Sequence, residues 1–209
     1  MKNLLVCHSR CGSTSLFKNL ISNSPKKIVW GVDDKGWSYD KFLSNDYHMA
    51  RCNVQDNSIG HLSKLCWDMN CSYMYRKNIH ASALSLAIGN IKKVWDFDNI
   101  GDDYYSNKIY IDKGNFLNSL MIAVKHREMV LYLSSVFGGV VFTYEEFYSG
   151  PTDVLNMLNN FHNLDLDIES CEKDISETKK LNDYTNIHNM EEIQGWIDEH
   201  KRNSNDRCI

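Results

Sequence analysis

The stretch Leu4-Leu5-Val6-Cys7-His8-Ser9-Arg10-Cys11-Gly12-Ser13-Thr14-Ser15 decides how the rest of the chain is read. A short apolar run ends in a polar turn with a glycine, and Leu16, Phe17, Leu20 and Ile21 then recur at helical spacing. That order is strand, loop, helix. Backbone N–H groups at the helix start, a glycine that permits close approach, the hydroxyls of Ser13, Thr14 and Ser15, and the cation Arg10 suit a phosphate. The same residues equally suit an ordinary serine-capped helix start.

Outward from this segment, Ile28 to Val32 follows the Asn23-Ser24-Pro25 turn as a second strand. Ile109 to Ile111, Leu120 to Val124 and Val140 to Phe142 are short apolar runs that fit buried parallel strands. Helices are expected at Met129 to Phe137 and after Gly150-Pro151, where Val154, Leu155, Leu158 and Phe161 line one face. Asn189 and Glu192 form a capping pair ahead of Ile193, Trp196 and Ile197. The stretch from Val32 to about Asn107 is aromatic and polar, an insertion-rich segment that is partly helical around Ser82 to Val94. Strands alternating with helices predict an α/β fold with a mainly parallel sheet, in which ligands bind beyond the carboxyl ends of strands.

Composition narrows the partners. The 209 residues, 43% apolar and 24% charged with 2 prolines and 11 glycines, suit one globular domain. A net charge of -4 argues against a coat for nucleic acid or anionic membrane, so an anion must be gripped locally. No run approaches the roughly 18 apolar residues that span a bilayer. The apolar start runs straight into His8-Ser9-Arg10, so neither a signal peptide nor an anchor is expected. The odd count of 7 cysteines then favours reduced thiols and a cytoplasmic location. His61, Cys66, Cys71 and His80 lie close together, but their intervals match no standard zinc finger.

Three chemistries use a loop of this kind. A P-loop kinase or NTPase needs G-x-x-x-x-G-K-[ST]; here His8 stands at the first glycine and Ser13 at the lysine. A low-molecular-weight tyrosine phosphatase needs an arginine six residues after its cysteine; Ser13 follows Cys7 at that interval and Phe17 follows Cys11.

The third pattern carries a resemblance. Arg10-Cys11-Gly12-Ser13-Thr14 resembles the [KR]-S-G-T-T loop of PAPS-dependent sulfotransferases, which binds the 5'-phosphosulfate. Those enzymes also carry a strand ending in an arginine, with a serine eight residues later, that hold the 3'-phosphate; Met121 to Arg127 followed by Ser135 is similar. Val140 to Phe147 with Gly150-Pro151 looks like their Y-E-D-L segment and following helix. Thr178-Lys179-Lys180 and the helix start Ile187 to Glu192 resemble the C-terminal segment of bacterial carbohydrate-type members. The resemblance implies a single three-layer, P-loop NTPase-like domain over residues 1–209, with an unaligned acceptor-side segment at about 37–107. It implies PAPS as co-substrate, no required metal, and a carbohydrate or other small acceptor. Arg10, Cys11, Gly12, Ser13, Thr14, Ser15, Arg127, Ser135, Lys179 and Lys180 would bind the nucleotide, and Arg10 would also serve catalysis.

The general base departs from the family. Cytosolic members place a histidine two residues after a lysine, and the comparable Lys113-Gly114-Asn115 has asparagine there. Carbohydrate-type members use a glutamate in a loop after the second strand, which Gly31-Val32-Asp33-Asp34-Lys35-Gly36-Trp37 resembles, so Asp34 with Asp33 behind it is the expected base. A solvated turn is the bland reading of that segment. His48, His61 and His80 are further candidates, and Trp30, Trp37, Tyr39, Trp67, Tyr73 and Tyr75 are aromatic faces on which adenine or sugar could stack. An ATP-dependent kinase and an inactive nucleotide-binding module are the competing functions.

Overall fold

Five parallel strands in the order β2-β3-β1-β4-β5 form the sheet. The computed structural model describes residues 1–31, 39–93, 108–178 and 187–205. The strands are β1 (Asn3–Cys7), β2 (Ile28–Val29), β3 (Met49–Asn53), β4 (Asn70–Tyr75) and β5 (Val140–Thr143). The helices are α1 (Ser13–Asn23), α2 (Tyr39–Ser44), α3 (Ile59–Asp68), α4 (Ile79–Lys92), α5 (Lys113–Phe137), α6 (Tyr144–Ser149), α7 (Pro151–His162), α8 (Ile168–Thr178) and α9 (Met190–Asn205). A 3-10 turn, Val54–Asp56, follows β3. The fold is α/β, as the alternation of elements predicts.

The chain divides into two compact units. The first holds Met1–Lys77 and Val124–Leu181, hence the whole sheet. Every residue of β1 is buried because helices cover both faces. Leu4 and Val6 pack with Leu62 and Leu65 of α3 and Val130 and Leu133 of α5. Leu5 and Cys7 pack on the other side with Leu16, Phe17 and Leu20 of α1, Phe147 of α6 and Leu155 and Leu158 of α7. Two-sided burial of this kind requires a continuous apolar strand, not an alternating one.

The second unit holds Asn78–Ala123 and Asn182–Ile209. Phe116 meets Trp196 with ring centroids 6.1 Å apart, and Lys113 pairs with Glu199 at 2.9 Å. Among the described residues, no helix is long and apolar enough to cross a membrane.

Several expected elements differ. Leu120 to Val124 is helical, part of the 25-residue α5, instead of a strand. Phe116, Ser119, Leu120 and Ala123 are buried while Met121 is exposed, which is the stripe of a helix. A run of five apolar residues fits either element, and no proline or turn separates it from Met129 to Phe137. Ile109 to Ile111 lies outside the sheet, in the second unit, where Ile109 makes a single parallel bridge to Ile187. The side chain of Asn189 does not cap α9; it exchanges two hydrogen bonds with the backbone of Ile111, at 3.1 and 2.8 Å. The second strand is only Ile28–Val29, and Val32 lies outside the described residues.

Candidate functional site

Strand order places β1 between β3 and β4, at the point where successive connections turn to opposite sides of the sheet. Ligands of open α/β sheets bind at such a point, beyond the carboxyl ends of the strands. The loop His8 to Gly12 leaves β1 there and opens α1. Arg10 (φ 61°) and Gly12 (φ 81°) are both left-handed. At Gly12 the requirement is steric too: a Cβ would sit 2.6 Å from Cδ2 of Tyr144 and 3.2 Å from Cε2 of Tyr148. The start of α1 has no side-chain cap at Gly12 and no acidic residue in its first turn, so the positive end of the helix is left to the loop.

His8 ties this loop to β4. Its Nε2 accepts the backbone N–H of Arg76 at 2.8 Å, and its Nδ1–H donates to the carbonyl of Ser9 at 2.7 Å. Burial lowers its pKa to about 4; the bond to Ser9 opposes this, and the charges of His126, Arg76 and Arg127 add to the lowering. His8 is therefore a neutral strut.

Arg76, the residue after β4, is only 8% exposed. Its guanidinium carbon lies 4.2 Å from the Tyr144 ring centroid. Its Nε is shielded from solvent and has no hydrogen-bond partner among the described residues. The strand end is pinned by the next residue, because the Lys77 N–H donates to Glu145 at 2.9 Å and its Nζ pairs with Glu146 at 3.1 Å.

Two further contacts line the loop. Arg51 of β3 donates to the Thr14 hydroxyl at 3.0 Å and lies 5.2 Å from the Trp30 centroid. The phenol of Tyr148 is pushed up chiefly by burial, with the nearby Ser15 opposing. On the α5 side, the Ser9 hydroxyl contacts Gln55 Oε1 and lies 3.2 Å from His126 Nδ1. Arg127 sits next to His126, its guanidinium 3.1 Å from Glu128.

No family model matches the sequence, and no curated protein matches it. Among solved structures, mouse sulfotransferase SULT7A1 complexed with PAP matches 85% of this chain with a TM-score of 0.55 at 14% identity. A sulfotransferase from Alicyclobacillus acidocaldarius matches 87% of it with a TM-score of 0.50, also at 14% identity, over 92% of its own length. The chain has the sulfotransferase fold. It spans 63% of the length of the mouse enzyme.

Within that sulfotransferase fold, the expected residues fall into three groups. Arg10, Cys11, Gly12, Ser13, Thr14 and Ser15 stand together in the loop and first turn of α1. Arg127 does not leave a strand end; it lies inside α5, and Ser135 is about 12 Å further along the helix axis. Ser135 is exposed and donates to the carbonyl of Tyr132 at 2.8 Å. The arginine that does follow a strand beside β1 is Arg76. Asp33, Asp34, Trp37, Lys179 and Lys180 lie outside the described residues.

Of the candidate histidines, His48 and His80 are engaged through their rings. His48 Nε2 is 2.6 Å from the carbonyl of His162, the backbone N–H of His61 donates to the N-cap Ser58, and His80 pairs with His200 in the second unit. Tyr73 is wholly buried, whereas Trp67 is 80% exposed and meets Phe137 edge-on. Cys11 is buried and its thiol is pushed well up by that burial, which suits packing and not nucleophilic attack. No metal-binding cluster is found among the described residues.

Arg51, Arg76, Gln55 and His126 were not legible as site residues. Arg76 had one signal, the run Tyr73-Met74-Tyr75 before it, which alternates toward an arginine as a strand end does.

Proposed function

We propose that the protein is a PAPS-dependent sulfotransferase that moves a sulfuryl group to a hydroxyl or amine of a carbohydrate or other small acceptor. The observation that carries the reading is Arg76: a buried guanidinium with an unsatisfied donor, beside a left-handed glycine loop at the switch point of the sheet. A buried cation with a donor left unpaired among the described residues is costly, and an anionic ligand removes that cost. The mouse structure of the same fold was solved with PAP.

In this reading the α1 start, Arg10 and the hydroxyls of Ser13, Thr14 and Ser15 hold the 5'-phosphosulfate, with Arg51 supporting Thr14. Cys11 packs beneath the loop. Arg76 takes the 3'-phosphate, the role that the sequence offered to Arg127 with Ser135. Lys179 and Lys180 add positive charge from the C-terminal segment, and Asp34 with Asp33 is the base suggested by the sequence. Catalysis is positioning for in-line attack and stabilisation of charge on the departing phosphate, with Arg10 as the main cation. A reducing compartment such as the cytoplasm suits the six buried free thiols.

The test is ligand choice. Adenosine 3',5'-bisphosphate should raise the thermal midpoint by several degrees at concentrations where ATP with magnesium does not, because only a ligand of the folded state shifts the transition. Incubation with PAPS and a panel of sugars should give products heavier by one sulfuryl group. A shift with ATP and magnesium alone would overturn the reading in favour of a kinase, and binding without product in favour of an inactive module.

A further inference from the structure

We propose that Tyr144 is a positioning residue whose ring ties the Arg76 guanidinium to the Gly12 turn, so that a phosphate held at Arg76 and a phosphate held by the loop keep one fixed relation. The inference rests on the sulfuryl-transfer reading above, in which the two ends of one nucleotide occupy those two places. Two contacts of a single ring carry it. The guanidinium carbon of Arg76 stands over the Tyr144 ring, 4.2 Å from its centroid. A carbon at the Cβ position of Gly12 would lie 2.6 Å from Cδ2 and 2.9 Å from Cε2 of the same ring, so only glycine fits the turn beside that edge.

The ring is itself held from its own helix. Tyr144 opens α6, whose start is fixed by the reciprocal cap between Thr143 and Glu146. Phe147, one turn on, is wholly buried in the core that includes Leu16 and Leu155. Tyr148 packs on Tyr144 with ring centroids 4.4 Å apart and on Phe147 at 5.0 Å. Arg76 is held at both ends as well. His8 of the loop takes its backbone N–H at 2.8 Å, and Tyr144 takes its guanidinium.

Arginine donates hydrogen bonds in the plane of its guanidinium, whereas an aromatic ring attracts the cation through its face. A ring over the guanidinium carbon therefore leaves the in-plane donors for a phosphate, among them the Nε that has no partner among the described residues. Because Arg76 is buried, the attraction acts with little competing water. Setting a long side chain in its binding rotamer before the ligand arrives removes an ordering cost from binding. Gly12 opens α1, and its carbonyl accepts the Leu16 N–H at 3.2 Å. The ring that orients the cation is also the ring against which the phosphate loop is built.

The experiment is titration calorimetry of the full chain and its variants with adenosine 3',5'-bisphosphate and adenosine 5'-phosphate, read as the ratio of the two affinities. Tyr144→Leu should weaken the bisphosphate about tenfold and the 5'-phosphate about threefold, so that the preference for the 3'-phosphorylated nucleotide falls about threefold. Tyr144→Phe, which keeps the ring, should hold that preference within about twofold of wild type. In the Arg76→Ala background, Tyr144→Leu should weaken both nucleotides by the same factor, because the ring then has no cation to orient. Equal losses for the two nucleotides from Tyr144→Leu with Arg76 present would mark a ring that only packs, and would overturn the assignment. So would a fall in preference of the same size once Arg76 is gone. Should Tyr144→Leu unfold, Tyr144→Met, which fills the space without a ring, is held to the same two criteria. A wild type that binds neither nucleotide overturns the sulfuryl-transfer reading and this proposal with it, a result distinct from a wild type that prefers the bisphosphate whether or not residue 144 carries a ring.

Discussion

His8 Nε2 accepts the backbone N–H of Arg76 at 2.8 Å, joining the carboxyl ends of β1 and β4 through a side chain. The bond needs a neutral imidazole with its proton on Nδ1, which the Ser9 carbonyl secures. The same contact that positions the strand-end arginine therefore makes the molecule sensitive to acid.

Stability should fall as pH drops from about 6.5 to about 4. Burial lowers His8 to about 4, and burial with the neighbouring His48 lowers His162 to about 4. Between those limits the unfolded chain binds protons that the folded chain does not, so stability rises with pH through the window and is flat above it with respect to these two groups. Each of these two lowerings is worth about 3 kcal/mol. Urea unfolding across pH checks this, and His8→Gln, which keeps an acceptor but does not titrate, should flatten the slope by about half.

Gly12→Ala should cost about 1–3 kcal/mol, the range for forcing atoms into a packed site. The added methyl meets Tyr144 at 2.6 Å from a backbone already at φ 81°. In the double variant with Tyr144→Leu the clash is relieved but the left-handed strain stays, so the losses should combine less than additively. Strict additivity in denaturant midpoints would show that Tyr144 does not press on the loop.

The parts of this site that were readable are those in which local pattern and final structure agree. β1 is an apolar run because both its faces are covered, and Gly150-Pro151 opens α7 as proline's fixed φ favours. β3, Met-Ala-Arg-Cys-Asn, and β4, Asn-Cys-Ser-Tyr-Met-Tyr, contain no valine or isoleucine, and only the two tyrosines of β4 favour a strand. They are strands because β1 supplies a buried edge on each side. With β4 hard to read, Arg76 at its end was not offered as a strand-end arginine, and Arg127, which lies inside α5, was. The chain from Gln55 through Ser9 to His126 joins residues 46 and 117 positions apart, which leaves no periodic trace.

Thr143→Ala should destabilise the protein by about 1 kcal/mol, the usual cost of removing an N-cap hydroxyl. Thr143 accepts from the Glu146 N–H at 3.2 Å while Glu146 accepts from the Thr143 N–H at 2.8 Å, a reciprocal cap for α6. Thr143→Ser should restore most of the loss. Because Glu146 also holds Lys77, the alanine variant should loosen the end of β4, seen as faster amide exchange at Arg76 and Lys77 than at Leu5.

Arg76→Ala and Arg127→Ala separate the two candidates for the 3'-phosphate. Arg76 is buried and its Nε has no partner among the described residues, so a phosphate gains a charge-assisted bond there without breaking another. Arg127 has Glu128 at 3.1 Å and must give up that pair to bind a ligand. Arg76→Ala should therefore weaken adenosine 3',5'-bisphosphate at least tenfold while leaving adenosine 5'-phosphate within about threefold, a contrast set by one charged hydrogen bond. Arg127→Ala should change both nucleotides by similar small factors. Titration calorimetry gives each constant directly, and the opposite ranking would return the 3'-phosphate to Arg127.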